Sequence, residues 1–137
     1  MRSDGFDIDL SAKSPARGED GHPGNPEVWF NLFRHIPAVL EEERTEILLE
    51  GEGIRIERIL SRGQHSPEGF WYDQDESEWI CLLRGKAVLE FEHGRVVPLS
   101  EGDTMLILPH ERHRVASTSA DPVCVWLCVF FVVPGEG

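Results

Sequence analysis

The stretch Glu78-Trp79-Ile80-Cys81-Leu82-Leu83-Arg84-Gly85 limits what this chain can fold into more than any other. An acidic residue leads straight into a short apolar run, and the run stops at an Arg-Gly turn where glycine supplies a backbone conformation other residues avoid. Directly after it, Ala87, Leu89 and Phe91 fall on one face of a period-two run, with Lys86, Glu90 and Glu92 on the other. That alternation predicts a half-buried strand with a named core side. Downstream, Gly102-Asp103 turns into Thr104–Leu108, a second apolar run that breaks at Pro109 and resumes at His113.

The same grammar extends over most of the chain. Glu46–Glu50 and Ile54–Leu60 flank Gly51-Glu52-Gly53 and predict a hairpin. In its second arm Ile54, Ile56 and Arg58 share one face and Arg55 and Glu57 the other. Arg58 is then either an inward-facing charge or is turned outward by a bulge near Ile59. Ser61–Gly69 reads as a loop, Phe70-Trp71-Tyr72 as the start of an aromatic strand, and Asp73–Ser77 as an acidic rim loop. Glu92-His93-Gly94 is a turn, and Val96–Leu99, His113–Ser117 and Val123–Val133 complete the strands. Short strands between glycine turns, with hardly any helix, predict an antiparallel sandwich or small barrel. Leu82, Leu89, Phe91, Leu106 and Val125 are expected in its core.

Residues 1–25 are rich in Gly, Pro, Ser and charge and lack periodicity, so they are expected to form a flexible arm, with residues 26–137 as one domain. Trp29, Phe30, Leu32 and Phe33 form an aromatic cluster, and Ala38–Glu43 has room for one or two helical turns, giving a short helical or irregular segment before the strands. With apolar strands near both ends, that cluster exceeds what a small monomer buries, so a homodimer is expected.

Charge narrows the partners. A formal net charge of −12 argues against nucleic acid and anionic membrane, both of which require clustered cations. No apolar run approaches a membrane span, and no signal-peptide layout opens the chain. Cys81, Cys124 and Cys128 lie in apolar strand patterns and read as buried thiols, which places the protein in the cytoplasm.

Glu78 to Gly85 and Gly102 to His113 resemble the two motifs of the cupin superfamily, a similarity that covers residues 46–132. The resemblance implies an all-β, single-domain antiparallel β-barrel of the double-stranded β-helix or jelly-roll type. Glu78 and Gly85 fit the end of the first motif, whose two histidine positions fall on Tyr72 and Gln74. Gly102, Pro109 and His113 fit the second, with His110 in place of a glycine and Ser117 in place of an asparagine. Of four family metal ligands, Glu78 and His113 remain, with Gln74 a weaker third. Such a set would hold a divalent ion (Fe, Mn, Zn or Ni) modestly. The alternative is a metal-free pocket in which Glu78 bonds His113. Tyr72, Gln74, His110 and Trp71 are the expected ligand-binding residues, and Tyr72 is the candidate catalytic group. His65 and His110 sit on loops that could supply a missing imidazole. Two function classes follow: a barrel that binds a small molecule, or a metal-dependent enzyme (dioxygenase, isomerase or lyase) acting on a small organic substrate.

Overall fold

A computed structural model describes residues 7–8 and 29–133. Its strands are β1 (Asp7–Ile8), β2 (Arg44–Glu52), β3 (Ile54–Ser61), β4 (Ser77–Arg84), β5 (Ala87–Phe91), β6 (Val96–Leu99), β7 (Thr104–Ile107), β8 (His113–Thr118) and β9 (Cys124–Phe131). They form a six-stranded sheet in the order β1-β2-β3-β9-β4-β7 and a three-stranded sheet in the order β6-β5-β8. Every pairing is antiparallel. The described residues contain no helix, and so none long and apolar enough to cross a membrane. This is the jelly-roll arrangement, with the hairpins around Gly53 and Gly85 where the turn chemistry requires them.

The main core lies between the sheets. Ile80 and Leu82 from β4, Ala87, Leu89 and Phe91 from β5, Leu99, Ile107, and Cys124, Trp126, Cys128 and Phe130 from β9 form one buried cluster. Alternate residues of β5 and β9 therefore face inward, and each fully buried large side chain contributes about 1.5–3 kcal/mol. A second cluster, Leu60, Val123 and Val125, lies on the outer face of the large sheet beneath Ile36, Leu40 and Leu83. Leu106 departs from expectation: it is 49% exposed, whereas Ile107 is 1% exposed. Register decides this, because Ile107 pairs Glu78 on the inner face and Leu106 pairs the outward Trp79.

Gly85 has φ 97°, and a Cβ there would meet Cys124 Sγ at 2.8 Å and Ser119 Oγ at 2.9 Å. Both the backbone conformation and the space thus require glycine, which explains the sharp end of the Glu78–Gly85 motif.

Two local expectations change, and the open reading of Arg58 is decided. Ala38–Glu43 forms bends, not helical turns. Side chains from the loop after β3 take up carbonyls in this segment and just before it: Arg62 donates to Pro37 O at 3.4 Å and Gln64 Nε2 to Leu40 O at 2.9 Å. Phe70-Trp71-Tyr72 makes no strand. A single bridge joins Tyr72 to His113, with Tyr72 N donating to His113 O at 2.7 Å and His113 N to Tyr72 O at 3.2 Å. Arg58 is completely buried, yet it points away from the space between the sheets. Its Nε donates to Glu46 Oε1 at 2.6 Å, and Nη1 donates to Leu32 O at 3.1 Å and Arg34 O at 2.6 Å. Phe30 lies against the guanidinium at 4.9 Å. Residues 30–35 are therefore wrapped around this cation, which fastens the irregular segment to the outside of the sheet. The arm expected over residues 1–25 lies outside the described residues except for Asp7–Ile8, which pairs with β2.

Removing one member of a buried ion pair leaves an uncompensated charge, so Arg58→Ala should cost about 3–5 kcal/mol in urea denaturation. Arg58→Met combined with Glu46→Leu should recover most of that loss, since no buried charge is then left unpaired. A loss below about 1 kcal/mol for Arg58→Ala would show that the pair is solvated.

Candidate ligand-binding site

The inner face of the large sheet is laid out in rows by its register. Arg55, Phe130, Glu78 and Ile107 stand opposite one another across β3, β9, β4 and β7. The adjacent row is Glu57, Cys128 and Ile80, and the next is Ile59, Trp126 and Leu82. In the small sheet Leu89 pairs Val115 and Phe91 pairs His113. Between the two faces lies a cavity of about 300 Å³. Glu57, Glu78, Cys128, Trp126 and Phe130 line it from the large sheet, and Leu89, His113 and Val115 from the small one. Glu43 and Thr45 stand at its mouth, Thr45 exposed to solvent and the Glu43 carboxylate turned in to accept from the buried Ser61 hydroxyl at 3.2 Å.

Tyr72 and Gln74 enter from the connection between β3 and β4. Neighbouring charges pin the loop that carries Gln74. His110 Nδ1 lies 2.7 Å from Asp73 and its Nε2 3.0 Å from Asp75, while Arg55 bonds Glu76 at 3.0 Å. The His110 amide also donates to Gln74 O at 2.8 Å. So the acidic residues face outward to cations, and Gln74 faces in, its Nε2 donating to Glu78 Oε1 at 3.1 Å.

His113 is buried, and Tyr72 stacks on it with centroids 5.4 Å apart. Its Nδ1 donates to Glu111 O at 2.8 Å, which leaves Nε2 directed at the cavity, 3.7 Å from Glu78 Oε1. Burial opposes the imidazolium, but Glu78 and the Glu111 carbonyl outweigh it, so the His113 pKa is raised. Burial, then the carboxylates of Glu43 and Glu78, push the Tyr72 phenol up. Tyr72 therefore presents a protonated hydroxyl, a donor rather than a base. The Cys128 thiol is pushed well up by burial and then by Glu78, Glu57 and Glu43, which keeps it protonated. Burial also raises the Glu43 carboxyl, with Glu57 and Glu78 adding to the rise and a hydrogen bond from Ser61 opposing it.

The cavity thus brings together Tyr72, Gln74, Glu78 and His113. Trp71 and His110 are not among its lining residues, nor is His65. His110 is engaged at the rim with two carboxylates. Trp79 lies between inward Glu78 and Ile80 and so faces outward. Sequence reasoning missed Glu43, Glu57, Trp126 and Cys128. The β3 sequence Ile-Arg-Ile-Glu-Arg-Ile-Leu-Ser has charge on both faces, so alternation could not reveal which side Glu57 takes. The two-residue spacing of Trp126, Cys128 and Phe130 was the available signal for β9.

As a metal centre the donor set is incomplete. Glu78 and His113 can approach one ion, but the described residues contain no group of three His, Cys, Asp or Glu side chains placed to hold one. Gln74 adds only a neutral amide, and Tyr72 is held as a phenol. Since metal centres open to substrate take about three strong protein ligands, the residues present do not fit a tightly held resident ion.

An antiparallel jelly roll enclosing a polar-centred cavity between its two sheets is a small β-barrel. The Cupin domain family matches residues 58–130, and the chain belongs to the cupin superfamily. A candidate mannose-6-phosphate isomerase from Ralstonia eutropha JMP134 is 40% identical, with a TM-score of 0.73 over 75% of this chain and 96% of that one. A cupin superfamily protein from Desulfitobacterium hafniense DCB-2 shares the fold at 15% identity, with a TM-score of 0.60 over 71% of this chain and 84% of that one. The iron(II) form of HppE shares it at 12% identity, with a TM-score of 0.55 over 70% and 55% of the two chains. No curated protein matches.

The rim contacts make a pH-dependent prediction. The hydrogen bond that His110 donates to Asp73, then the nearby charges of Asp73 and Asp75, raise the His110 pKa above 6.5. A raised pKa means the contact is fully present below the unfolded value and is lost as pH rises through the folded one. Proton-detected titration should therefore show His110 deprotonating above 6.5, and Asp73→Asn should lower its midpoint. A midpoint unchanged by Asp73→Asn would show that the contact does not hold in solution.

Proposed function

We propose that this cupin barrel binds a small organic molecule between its sheets, without a resident metal ion. One observation carries the reading: Tyr72, Gln74, Glu78 and His113 converge on a cavity of about 300 Å³ whose remaining wall is largely apolar and aromatic. A few fixed polar groups in an apolar cleft are what orient a small ligand. In this role Tyr72 is a hydroxyl donor, Gln74 and Glu78 form a joined amide–carboxylate unit, and His113 Nε2 is a further polar contact. Three free cysteines, Cys81, Cys124 and Cys128, support placing the protein in the cytoplasm.

The second reading makes the same cavity catalytic. It is favoured by a tethered imidazole whose Nε2 faces the cavity beside a protonated phenol, a pair able to take a proton from a bound molecule and return one elsewhere. The metal-dependent form of that reading, whether dioxygenase, isomerase or lyase, requires a third strong ligand beyond Glu78 and His113. Elemental analysis of protein purified without chelator or His-tag separates the cases. We expect far less than one divalent ion per chain. Stoichiometric metal that survives dialysis and is lost in His113→Ala would overturn the metal-free reading.

The assembly proposal is a homodimer. It is supported by apolar side chains left on the outside: Trp29 is 47% exposed, Phe33 45%, Leu106 49% and Leu108 53%. Light scattering should give twice the 15.5 kDa of the chain at micromolar concentration. The monomer mass would remove this part of the proposal.

A further inference from the structure

Charge in the cavity selects the class of ligand. Among the described residues, Glu43, Glu57 and Glu78 contribute three carboxylates to its lining, and neither Lys nor Arg contributes a side chain. Its one ionisable cation is His113, which already faces Glu78. Arg55 lies alongside, but its guanidinium is engaged with Glu57 at 2.7 Å and with Glu76 at 3.0 Å. With His113 charged and Arg55 counted in full, the carboxylates of the wall and rim still outnumber the cations. A carboxylate or phosphate ligand would enter such a site with no counter-charge, a costly burial. That is the wrong balance for a sugar phosphate.

A second observation indicates what the walls do accept. Arg55 Cζ stands 4.2 Å from the centre of the Phe130 ring while its Nε bonds the Glu57 carboxylate. Phe130 and Glu57 thus already hold a cation between an aromatic face and a carboxylate. The same two kinds of group recur around the cavity: Glu78, in the same row as Phe130, lines it together with Tyr72 and Trp126, and His113 is the one side-chain cation among the described lining residues. Aromatic faces and a carboxylate around one apolar space favour an organic cation, through charge-assisted hydrogen bonds and cation–π attraction.

We infer that the cavity binds a small organic ammonium compound, its charged group against Glu78 and Glu57 and its apolar part against Trp126 and Phe130. The inference rests on the small-molecule reading above and names its ligand class. The volume sets the size, since about 300 Å³ is at the small end of ligand pockets.

The test compares benzylamine, benzyl alcohol, benzoate and mannose 6-phosphate on the full chain by calorimetric titration at neutral pH and fixed salt. Benzylamine should bind roughly tenfold more tightly than benzyl alcohol, the discrimination one charge-assisted contact supplies. Benzoate and mannose 6-phosphate should bind more weakly than the alcohol. Glu78→Gln and Glu57→Gln keep shape while removing charge, and at least one should cut benzylamine affinity roughly tenfold. Circular dichroism checks that both variants are folded, and the ligand series on the unaltered chain decides the matter if they are not. Benzoate or mannose 6-phosphate binding as tightly as benzylamine would overturn the ammonium inference while leaving small-molecule binding intact. Benzylamine binding unchanged in both folded variants would place the amine on the acidic surface and also overturn it. Failure of all four compounds to bind at millimolar concentration would remove the small-molecule reading together with the inference.

Discussion

The rest of the structure depends on the pairing of β9 with both β3 and β4. The last strand in the chain lies between two that precede it by more than forty residues, and it is hydrogen-bonded along its length on each side. Because side chains alternate along a strand, its register fixes both faces of the large sheet at once. Cys124, Trp126, Cys128 and Phe130 go to the interior, and Val125 goes to the outer cluster under Ile36 and Leu40. A one-residue slip would turn Trp126 outward and bring Glu57 and Glu78 out of line with Cys128 and Phe130. The cavity is therefore a consequence of register before it is a consequence of any particular polar residue.

On β3 the same constraint separates two charges that are adjacent in sequence. Glu57 faces the cavity, where Arg55 bonds it, while Arg58 faces the outer side and is enclosed by Glu46 and the carbonyls of residues 32 and 34. A buried pair of this kind costs heavily in desolvation and is sustained by geometry and additional hydrogen bonds, which these carbonyls supply. The pair therefore fixes where the irregular segment lies.

Much of the barrel was legible because alternation and glycine turns are local signals. The β5 residues Ala87, Leu89 and Phe91 needed no tertiary knowledge, and Gly85 declared its turn. The failures occurred where tertiary partners override local pattern. Leu106 and Ile107 are both apolar, so only the pairing with β4 decides which is inside. Phe70–Tyr72 has strand-forming residues but makes one bridge instead of a ladder. Within the site, the motif frame located Tyr72, Gln74, Glu78 and His113. Glu57 was hidden in a strand charged on both faces, and Glu43 lies before the first hairpin strand reads as one. The electrostatic character of the cavity was thus the least legible property, since it sums residues from β3, β4 and the segment before β2.

Replacing two imidazole positions by Tyr72 and Gln74 does more than remove metal ligands. Burial first, and then the surrounding carboxylates, hold the phenol of Tyr72 and the thiol of Cys128 protonated, so both face the cavity as neutral groups. The Gln74 amide meets Glu78 without neutralising it. Glu57 and Glu78 nonetheless face the cavity, where His113 is the one ionisable cation among the described lining residues. With Trp126, Phe130 and Tyr72 as walls, a positively charged organic molecule of the class proposed above would meet those carboxylates and fill the apolar space in one step.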